Sequence, residues 1–488
     1  MNILILSNGA PNYYNFFNNL AKRLKKEKNN IYFAVDCKTS EDENKLRNTG
    51  IPTYVFSDYF ARHKTSIDLL NNYSEFNMNS ALLSDFERAD IYNLWKKKEE
   101  GFFEKLKSAL LSFLEELIEK HKIEAIIYEN VSNTFAHFAW FASNKKSISY
   151  IGFSSSRLPG RYSISTDPLR ESEIIDRKLN EINKRTTKLS DKTKKWLKNY
   201  LDNLEKITPD YMKFNNLENT SLTNKYLKTE NITKLITRIR HIRDDHHHSF
   251  QRGNPINASW QMFKRSLFRK LRISHISKHY SNYNQKDNFI LYPIHYHPES
   301  STSILAGTYL NEYEVIRNIS FNLPQNTQLY VKDHISAFGY PDTKFYKSIA
   351  NLPNVKIIAP TAPTKELIKS SLAVITLTST VGYEALLLGK KVLLLGNVFY
   401  ETHRNIIKIE DPKKIWKYIQ QVTKEENEID IKSYNENYVA AYYLTTLPGT
   451  LNLLSNATTA ESFLSIHYEE IAKTIYSIIQ NNTSPHHP

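Results

Sequence analysis

The chain has 488 residues, of which 40% are hydrophobic and 24% charged, so a wholly disordered chain is excluded. The single cysteine, Cys37, excludes an internal disulfide and a cysteine-rich zinc site. The formal net charge of +14 indicates phosphate-rich partners, such as nucleotides, nucleic acid or anionic lipid, without choosing among them. At roughly 150 residues per domain, the length predicts two or three domains.

The first 165 residues alternate short apolar runs with helical patterns. Strands are predicted at Ile3–Ser7, Ile31–Val35, Thr53–Phe56, Ala125–Tyr128 and Ser149–Gly152. Helices are predicted at Tyr13–Leu24 and in a long pattern across Ser80–Lys120. Continuous apolar strands separated by amphipathic helices indicate a parallel, doubly wound α/β sheet. Residues 1–165 are therefore predicted to form an N-terminal Rossmann-like domain.

The same alternation returns after a different middle region. Residues 166–285 are rich in lysine, asparagine and isoleucine, with a polar helical pattern at Glu171–Lys213, and are predicted to be a basic helical insertion or linker. Residues 286–420 are predicted to be a second Rossmann-like domain, and residues 421–488 C-terminal helices packing back on the first domain. The second domain's strands are predicted at Phe289–Pro293, Gln328–Lys332, Val355–Ile358, Ala373–Thr376 and Val392–Leu395. Its helices are predicted near Ile304–Phe321, Lys344–Ile349, Thr364–Ser370 and Val381–Leu388, with a last helix at Thr459–Gln480.

Two such domains in tandem predict a cleft, and ligands of open α/β sheets bind at the carboxyl ends of strands. The first candidate loop, Tyr292–Ser301, follows a strand and carries His295, His297 and Glu299. Serine hydroxyls at the start of the next helix suit a phosphate. In an extended chain the two histidines point to opposite sides, which argues against a shared metal. The alternative is a helix cap with a proline turn.

The second candidate is the end of the next strand, with Lys332 and His334. A lysine and a charged histidine there predict a compact cationic spot that stabilises a departing phosphate. An ordinary surface salt bridge between Lys332 and Asp333 is the alternative.

The third candidate opens the helix after Ala373–Thr376. It contains two hydroxyls, a glycine that allows close approach of an anion to the backbone, and a carboxylate within reach of ribose hydroxyls: Ser379, Thr380, Gly382 and Glu384. A capping box is the alternative.

In the first domain, Glu129 follows a strand and is predicted to be a catalytic carboxylate with a raised pKa. A helix cap or an interface salt bridge is the alternative for this residue. The arginines Arg157 and Arg161 flank a proline–glycine turn and could clamp an acidic group, and Asn8 lies in the opening turn of the same predicted cleft.

Three polar or basic stretches lie outside these loops. The run Asp244–His248 resembles a metal cluster, and Lys192–Lys198 is a charge run, but solvated side chains are the favoured interpretation of both. The stretch Trp260–Ile273 places Phe263, Leu267 and Leu271 on one helical face among basic residues, as in helices that lie on anionic lipid. A core-packing helix with a basic outer face is the alternative.

The stretch from Tyr292 to Tyr400 resembles the bacterial capsule polysaccharide biosynthesis family, which includes Kdo transferases. The similar segments are Tyr292–Ser300, Leu329–His334, Leu352–Val355, Thr378–Ala385, Gly389–Tyr400 and, in the first domain, Ser156–Arg161. The resemblance covers the second domain well, the first loosely and the basic middle hardly at all. Family members often have proline after the histidine of the second loop, whereas this chain has Ile335.

The resemblance implies a GT-B glycosyltransferase whose first domain binds the acceptor and whose second binds a sugar nucleotide, chiefly CMP-Kdo in members of known activity. We therefore expect transfer of Kdo or a nonulosonic acid from a CMP-sugar to a glycan or lipid-linked acceptor. The expected catalytic residues are Glu129, Glu299 and His334, and the expected donor-binding residues are His295, His297, Lys332, His334, Ser379, Thr380, Gly382 and Glu384. The expected acceptor-binding residues are Asn8, Arg157 and Arg161.

No metal, cofactor or nucleic-acid partner is expected. No run of about 18 apolar residues and no clear signal peptide are visible, so a cytoplasmic protein is expected, peripheral at the inner face of the membrane through Trp260–Ile273. Two rivals remain open: a sugar-nucleotide epimerase of the GT-B type, and a non-catalytic basic protein that binds membrane or nucleic acid.

Overall fold

The structure is a computed structural model that describes residues 1–10, 13–95, 99–167, 169–207, 236–244, 253–424, 430–451 and 461–483. The chain divides into two compact units. The first comprises Met1–Leu169, Ser221–Met262 and Leu447–Pro488, and the second comprises Arg170–Thr220 and Phe263–Thr446. The region 166–285, predicted to be one insertion, is thus divided between the two units.

The first unit is built on a seven-stranded sheet in the order β14-β6-β5-β4-β1-β2-β3. Strands β1 to β5 pair in parallel, and β6 runs antiparallel to β5. Ile3 to Leu6 of β1 are completely buried, as expected for a central parallel strand covered on both faces. The strands are β1 Asn2–Ser7, β2 Asn30–Val35, β3 Thr53–Val55, β4 Ala125–Glu129, β5 Ser149–Ser155, β6 Arg161–Ser165 and β14 Thr446–Pro448.

Helices of the first unit follow the predicted pattern with one break. The long pattern across Ser80–Lys120 is two helices, because Asn93 and Gly101 take up left-handed backbone conformations between them. The C-terminal helix packs on the first helix, with the rings of Phe16 and Tyr468 5.7 Å apart. The helices are Tyr13–Lys26, Lys38–Glu43, Phe56–Arg62, Ile67–Asn72, Met78–Tyr92, Phe102–His121, Thr134–Lys145 and Glu461–Thr483.

The second unit contains a sheet of seven parallel strands in the order β13-β12-β11-β8-β9-β10-β7. The chain order reverses at β8, since β9 lies on one side of it and β11 on the other. Such a switch point opens a crevice at the carboxyl ends of the strands, where ligands bind. The strands are β7 Tyr280–Ser281, β8 Phe289–Pro293, β9 Gln328–Lys332, β10 Val355–Ile358, β11 Ala373–Thr376, β12 Val392–Leu394 and β13 Ile406–Lys408.

The helices of the second unit cover this sheet, and a core of aliphatic and aromatic side chains that includes Tyr292, Ile316 and Tyr346 lies beneath them. The helix predicted near Ile304–Phe321 is interrupted by a short 3-10 turn at Gly307–Tyr309. The helix Pro255–Ile276 is divided between the two units and belongs to the second from Phe263 onward. The other helices of the second unit are Glu171–Asn183, Asp191–Asp202, Ser300–Leu305, Glu312–Ser320, Thr343–Ala350, Thr364–Ser370, Thr380–Leu387, Ile415–Lys424 and Ile431–Leu444. The predicted fold class, α/β with two Rossmann-type sheets, is confirmed.

Candidate functional site

A cavity of about 660 Å³ lies at the carboxyl ends of β8 and β9, beside the start of the helix Thr380–Leu387. Its position is the crevice that the reversal of strand order creates in the second unit. The residues predicted to bind the donor that line it are Lys332, His334, Ser379, Thr380 and Glu384. Further walls come from the loop Pro360–Thr364 and from Lys365 and Lys369 on the following helix. The five predicted residues follow two strands, β9 and β11, whereas His295, His297 and Glu299 after β8 are not among the lining residues.

Lys332 is the last residue of β9, and its side chain is almost wholly buried. Its ammonium group donates to the carbonyl oxygen of Pro360 at 3.0 Å. Burial lowers the pKa of Lys332 to about 8, although the negative charges of Asp333 and Glu384 oppose the shift. Asp333 instead accepts a hydrogen bond from the hydroxyl of Tyr280 at 2.6 Å. The alternative of a surface salt bridge between Lys332 and Asp333 is thus wrong.

His334 does not carry the positive charge expected of it. Burial, together with the neighbouring His295 and the positive charge of Lys332, lowers the pKa of His334 to about 4, so its imidazole is neutral near pH 7. Its Nδ1 atom accepts a hydrogen bond from the backbone N–H of Ser336 at 3.1 Å. At this strand end the cation is therefore Lys332, and His334 offers a neutral imidazole.

The helix Thr380–Leu387 begins at the cavity. Ser379 caps it, because its hydroxyl accepts a hydrogen bond from the N–H of Val381 at 3.2 Å, and its carbonyl accepts one from Tyr400 at 2.6 Å. Gly382 is buried, and a Cβ atom there would collide with the hydroxyl of Tyr400. Glycine is therefore needed here for packing, and its expected role in close approach to an anion stays a prediction.

Glu384 follows one turn into this helix and lines the cavity. Burial raises the pKa of Glu384, and the positive charges of Lys365 and Lys332 oppose that shift. The carboxyl group thus lies in the same cavity as the buried ammonium group, within reach of its charge.

The two histidines after β8 converge on one carboxylate, Glu312, which sequence reasoning missed. Nδ1 of His295 lies 3.2 Å from one oxygen of Glu312, and Nε2 of His297 lies 3.1 Å from the other. The expectation that the histidines diverge is wrong because β8 ends at Pro293 and the chain beyond it is not extended strand. Burial alone would raise the pKa of Glu312, but the two histidines hold it well below its usual range. The sequence signal was Asn311-Glu312, a helix cap followed by an acidic residue in the first turn.

Glu299 is exposed and is not among the residues that line the cavity. Its backbone carbonyl accepts hydrogen bonds from the N–H and hydroxyl of Ser303. The structure therefore does not support the expectation that the Glu299 carboxylate lies beside the phosphate-binding residues. The geometry of this loop agrees with the alternative interpretation, in which the loop forms the start of a helix.

In the first unit, Glu129 ends β4 and is partly buried. Its carboxylate accepts a hydrogen bond from the hydroxyl of Ser132 at 2.6 Å. Burial raises the pKa of Glu129, and the Ser132 hydrogen bond and the charge of Arg88 oppose the shift. The predicted direction of this pKa shift is confirmed, while the catalytic role stays a prediction.

The residues predicted to bind the acceptor lie on two loops of the first unit. Asn8 is buried, and its side-chain oxygen accepts a hydrogen bond from the N–H of Ala10 at 2.9 Å, so it shapes the turn after β1. Arg157 and Arg161 are partly exposed on either side of Gly160, whose φ of +67° is the left-handed conformation that glycine adopts readily. Their role in acceptor binding stays a prediction.

The helix Pro255–Ile276 turns its apolar face outward. Trp260, Phe263, Leu267 and Leu271 are 59%, 41%, 37% and 58% exposed. The buried basic residue is Arg269, which donates to the carbonyl of Phe338 at 2.8 Å. The alternative of a core-packing helix with a basic outer face is therefore wrong, and Arg269 is not available to a lipid surface.

Within the described residues, no three histidine, cysteine, aspartate or glutamate side chains are grouped so as to hold a metal ion. Of the run Asp244–His248, only Asp244 is described, and it contacts Nδ1 of His241 at 2.7 Å. In the ranges that the structure describes, no helix combines the length and apolarity needed to cross a bilayer.

Comparison with solved structures shows similarities at low identity. A β-Kdo 2,4 transferase, KpsC of Thermosulfurimonas dismutans, is 16% identical over 68% of this chain and 87% of its own, with a TM-score of 0.30. A β-Kdo 2,7 transferase, also KpsC of that organism, is 13% identical over 68% of this chain and 79% of its own, with a TM-score of 0.32. A UDP-GlcNAc 2-epimerase of Neisseria meningitidis, solved with UDP-GlcNAc, is 13% identical over 97% of this chain and 100% of its own, with a TM-score of 0.27. At these TM-scores the similarities carry no functional argument.

The comparison with curated proteins gave no match. The sequence model of a family described as "Capsule polysaccharide biosynthesis protein" matches residues 192–427. This match includes Lys332, His334, Ser379 and Glu384 of the cavity. The resemblance predicted for Tyr292–Tyr400 is thus confirmed, and the match also takes in residues 192–285 of the basic middle region, which the resemblance was expected hardly to cover.

Proposed function

We propose that the chain is a glycosyltransferase of surface polysaccharide or glycoconjugate assembly, which transfers Kdo or a nonulosonic acid from a CMP-sugar. The observation that carries the proposal is the buried ammonium group of Lys332 in the cavity at the carboxyl ends of the strands of the second unit. A cation that is already desolvated interacts strongly with an anion that enters the same site.

The charges of the cavity favour a ligand with one phosphate group over a ligand with two. Lys369 contacts Glu205, and Lys365 donates to three backbone carbonyls, those of Leu204, Glu205 and Ile207. Lys332 is therefore the cation best placed for a ligand, beside the carboxyl group of Glu384. One ammonium group matches the single negative charge of the phosphodiester in a CMP-sugar better than the greater charge of a diphosphate.

Transfer breaks the bond between the anomeric carbon and the phosphate oxygen, and CMP leaves with the bonding electrons. The charge that develops on the departing phosphate is stabilised by Lys332 and by the hydroxyls and amides at Ser379 and Thr380. Neutral His334 adds a hydrogen-bonding group at the same strand end. The acceptor hydroxyl replaces CMP on the anomeric carbon and loses its proton.

Glu129 is the favoured catalytic carboxylate. It acts as base if the reaction inverts the anomeric centre, and as nucleophile or ion-pair partner if the reaction retains it. Support comes from its position at the end of β4 and from the burial that raises its pKa. Glu299, the competing candidate, is exposed and does not line the donor cavity. Asn8, Arg157 and Arg161 are proposed to bind the acceptor glycan or lipid-linked saccharide.

The outward apolar face of Pro255–Ile276 is proposed to rest on an anionic membrane at the cytoplasmic side, where a lipid-linked acceptor would be presented. Lys264 and Lys270 are exposed on the same helix and supply attraction to anionic headgroups.

Incubation with CMP-, UDP- and GDP-sugars, followed by product analysis, tests the proposed activity. A glycosyltransferase specific for CMP-sugars should release CMP from CMP-Kdo or a CMP-nonulosonic acid and leave the other donors intact. Epimerisation of a UDP-sugar would instead identify an epimerase, and no turnover of any donor, with or without a glycan acceptor, would favour a non-catalytic binding protein.

A further inference from the structure

Glu312 is the first residue of the helix Glu312–Ser320, and its carboxylate is buried beneath the loop that follows β8. Four donors, one from the end of β8 and three from that loop, point at its two oxygens. The hydroxyl of Tyr292 lies at 2.9 Å, the backbone N–H of His295 at 3.0 Å, Nδ1 of His295 at 3.2 Å and Nε2 of His297 at 3.1 Å. Buried charge is tolerated only when it is hydrogen-bonded in this way.

The other side of the His295 ring faces the loop after β11. The backbone N–H of Thr378 donates to Nε2 of His295 at 3.3 Å, so this nitrogen acts as an acceptor and the ring proton is on Nδ1, which faces Glu312. The hydroxyl of Thr376 lies 3.2 Å from the same Nε2 and accepts a hydrogen bond from the N–H of Ser379 at 3.1 Å. A chain of hydrogen bonds therefore runs from Glu312 through His295 to Ser379.

This chain of hydrogen bonds bridges the switch point of the sheet. β8 and β11 are neighbours whose crossover connections leave in opposite directions, so their following loops are not joined to each other by local sequence. His295 is buried and is not among the residues that line the cavity, so it acts on the ligand only through the loop that it holds.

We propose that Glu312 is a positioning residue of the donor site, which fixes His295 as the Nδ1–H tautomer and thereby holds the loop Thr376–Thr380 in its ligand-binding geometry. The assignment of that loop to the donor rests on the proposed function, whereas the tautomer does not. Glu312 itself touches no substrate in this account.

The imidazole ¹⁵N spectrum of the full-length wild-type protein tests the tautomer directly. The signals of His295 are assigned by their loss in His295→Gln. A neutral ring protonated at Nδ1 supports the inference, and a ring protonated at Nε2, or an averaged pair of signals, overturns it. This readout needs neither substrate nor a folded variant of Glu312.

Glu312→Gln tests the effect on the loop. The amide can accept hydrogen bonds only through its oxygen, and its NH₂ group faces one of the two imidazoles as a donor. We expect the Nδ1–H signature of His295 to be lost and CMP affinity, measured by calorimetry, to fall by about tenfold or more, as for a lost charge-assisted bond. Glu314→Gln is the matched control and should change neither readout, because Glu314 is a half-exposed carboxylate of the same helix that pairs with Arg317.

Ile316→Val separates positioning from stability, since Ile316 is fully buried on the same helix and lies in the core. This variant should lower the melting temperature and leave the tautomer and CMP affinity at wild-type values. If Glu312→Gln keeps the tautomer and the affinity, the inference is wrong. If wild-type protein binds no CMP, the proposed function is wrong, and the tautomer still decides the role of Glu312.

Discussion

The ammonium group of Lys332 donates to the carbonyl oxygen of Pro360 at 3.0 Å, and these two groups join the ends of β9 and β10 on the wall of the cavity. In the part of the chain that is described, no carboxylate oxygen lies within ion-pair distance of this ammonium group. Carbonyl dipoles only partly compensate the loss of water around a buried cation. The site therefore holds a positive charge that an incoming phosphate can neutralise.

The affinity for CMP should depend on pH through Lys332. Its pKa of about 8 means that the ammonium group loses its proton as the pH rises through 8. If only the protonated form binds phosphate, the dissociation constant should increase about tenfold between pH 7 and pH 9. The free energy of unfolding of the protein without CMP should instead rise with pH between about 8 and 10.5. In this range Lys332 binds a proton in the unfolded chain, where its pKa is about 10.5, but not in the folded protein.

Lys332→Met removes both effects. Calorimetric titrations of CMP should show affinity about tenfold or more below wild type at pH 7 and little further change up to pH 9. Lys390→Met is the matched control, because Lys390 is a partly buried lysine of the same unit that donates to the carbonyl of Ser371 and is not among the cavity residues. An unchanged affinity in Lys332→Met would place the phosphate elsewhere.

Glu129→Gln should lower turnover by about 100-fold or more, because it keeps the size of the side chain and removes the charge needed for catalysis. The affinity for CMP should stay within about twofold of wild type, since Glu129 is assigned to the sugar and acceptor. Steady-state rates of CMP release and calorimetry measure the two quantities.

Glu299→Gln distinguishes the two candidate carboxylates, and Glu115→Gln, on a helix of the same unit as Glu129, controls for a general loss of acidic charge. Glu115 accepts a hydrogen bond from Tyr73, so the melting temperature of that variant must be compared as well. If Glu299→Gln abolishes turnover and Glu129→Gln does not, the assignment of the catalytic carboxylate is reversed.

Sedimentation with liposomes should detect binding of the protein to anionic but not to neutral lipid, weakened by high salt. Replacing Trp260, Phe263, Leu267 and Leu271 by serine should abolish binding, and the pair Lys264→Gln and Lys270→Gln should weaken it by about 1 kcal/mol per charge. Phe321→Ser, at another exposed aromatic position, is the control. Equal binding to neutral liposomes would contradict the proposal.

Gly382→Ala should destabilise the second unit. The added Cβ atom would collide with the hydroxyl of Tyr400 and lie 3.0 Å from Cγ2 of Thr376, both in buried side chains. Overpacking of this kind costs about 1–3 kcal/mol, which a melting curve resolves. Tyr400→Phe in the Gly382→Ala background should recover part of the loss, because the colliding oxygen is removed. If Gly382→Ala melts at the wild-type temperature, the residues around Gly382 shift to accommodate the added Cβ atom without a loss of stability.

Strands of the two sheets were largely predictable because they are buried on both faces and read as short continuous apolar runs. Phe289–Pro293 and Gln328–Lys332 have the predicted bounds. The strands β6, β7, β13 and β14 were missed. These strands contain few consecutive fully buried apolar residues, so their pairing depends on tertiary context that a local pattern does not carry.

The positions of the cavity residues were predictable from the sequence, but their protonation states were less predictable. A strand end predicts where Lys332 and His334 lie, whereas their protonation depends on burial by Pro360 and other residues distant in sequence. Glu312 was missed for the same reason, because it lies 17 residues from His295 along the chain and meets it only in the folded unit. The positive net charge of the sequence correctly indicated exposed basic residues, but it did not indicate that Arg269 is buried.

A thermal-shift comparison of CMP, UMP, UDP and GDP shows which nucleotide the cavity around Lys332 recognises. A ligand that binds only the native state at about 100 times its dissociation constant stabilises it by roughly 2.7 kcal/mol. We predict that CMP raises the melting temperature and that it does so in Lys390→Met but not in Lys332→Met. A rise with UDP or GDP and none with CMP would contradict the assignment of the donor.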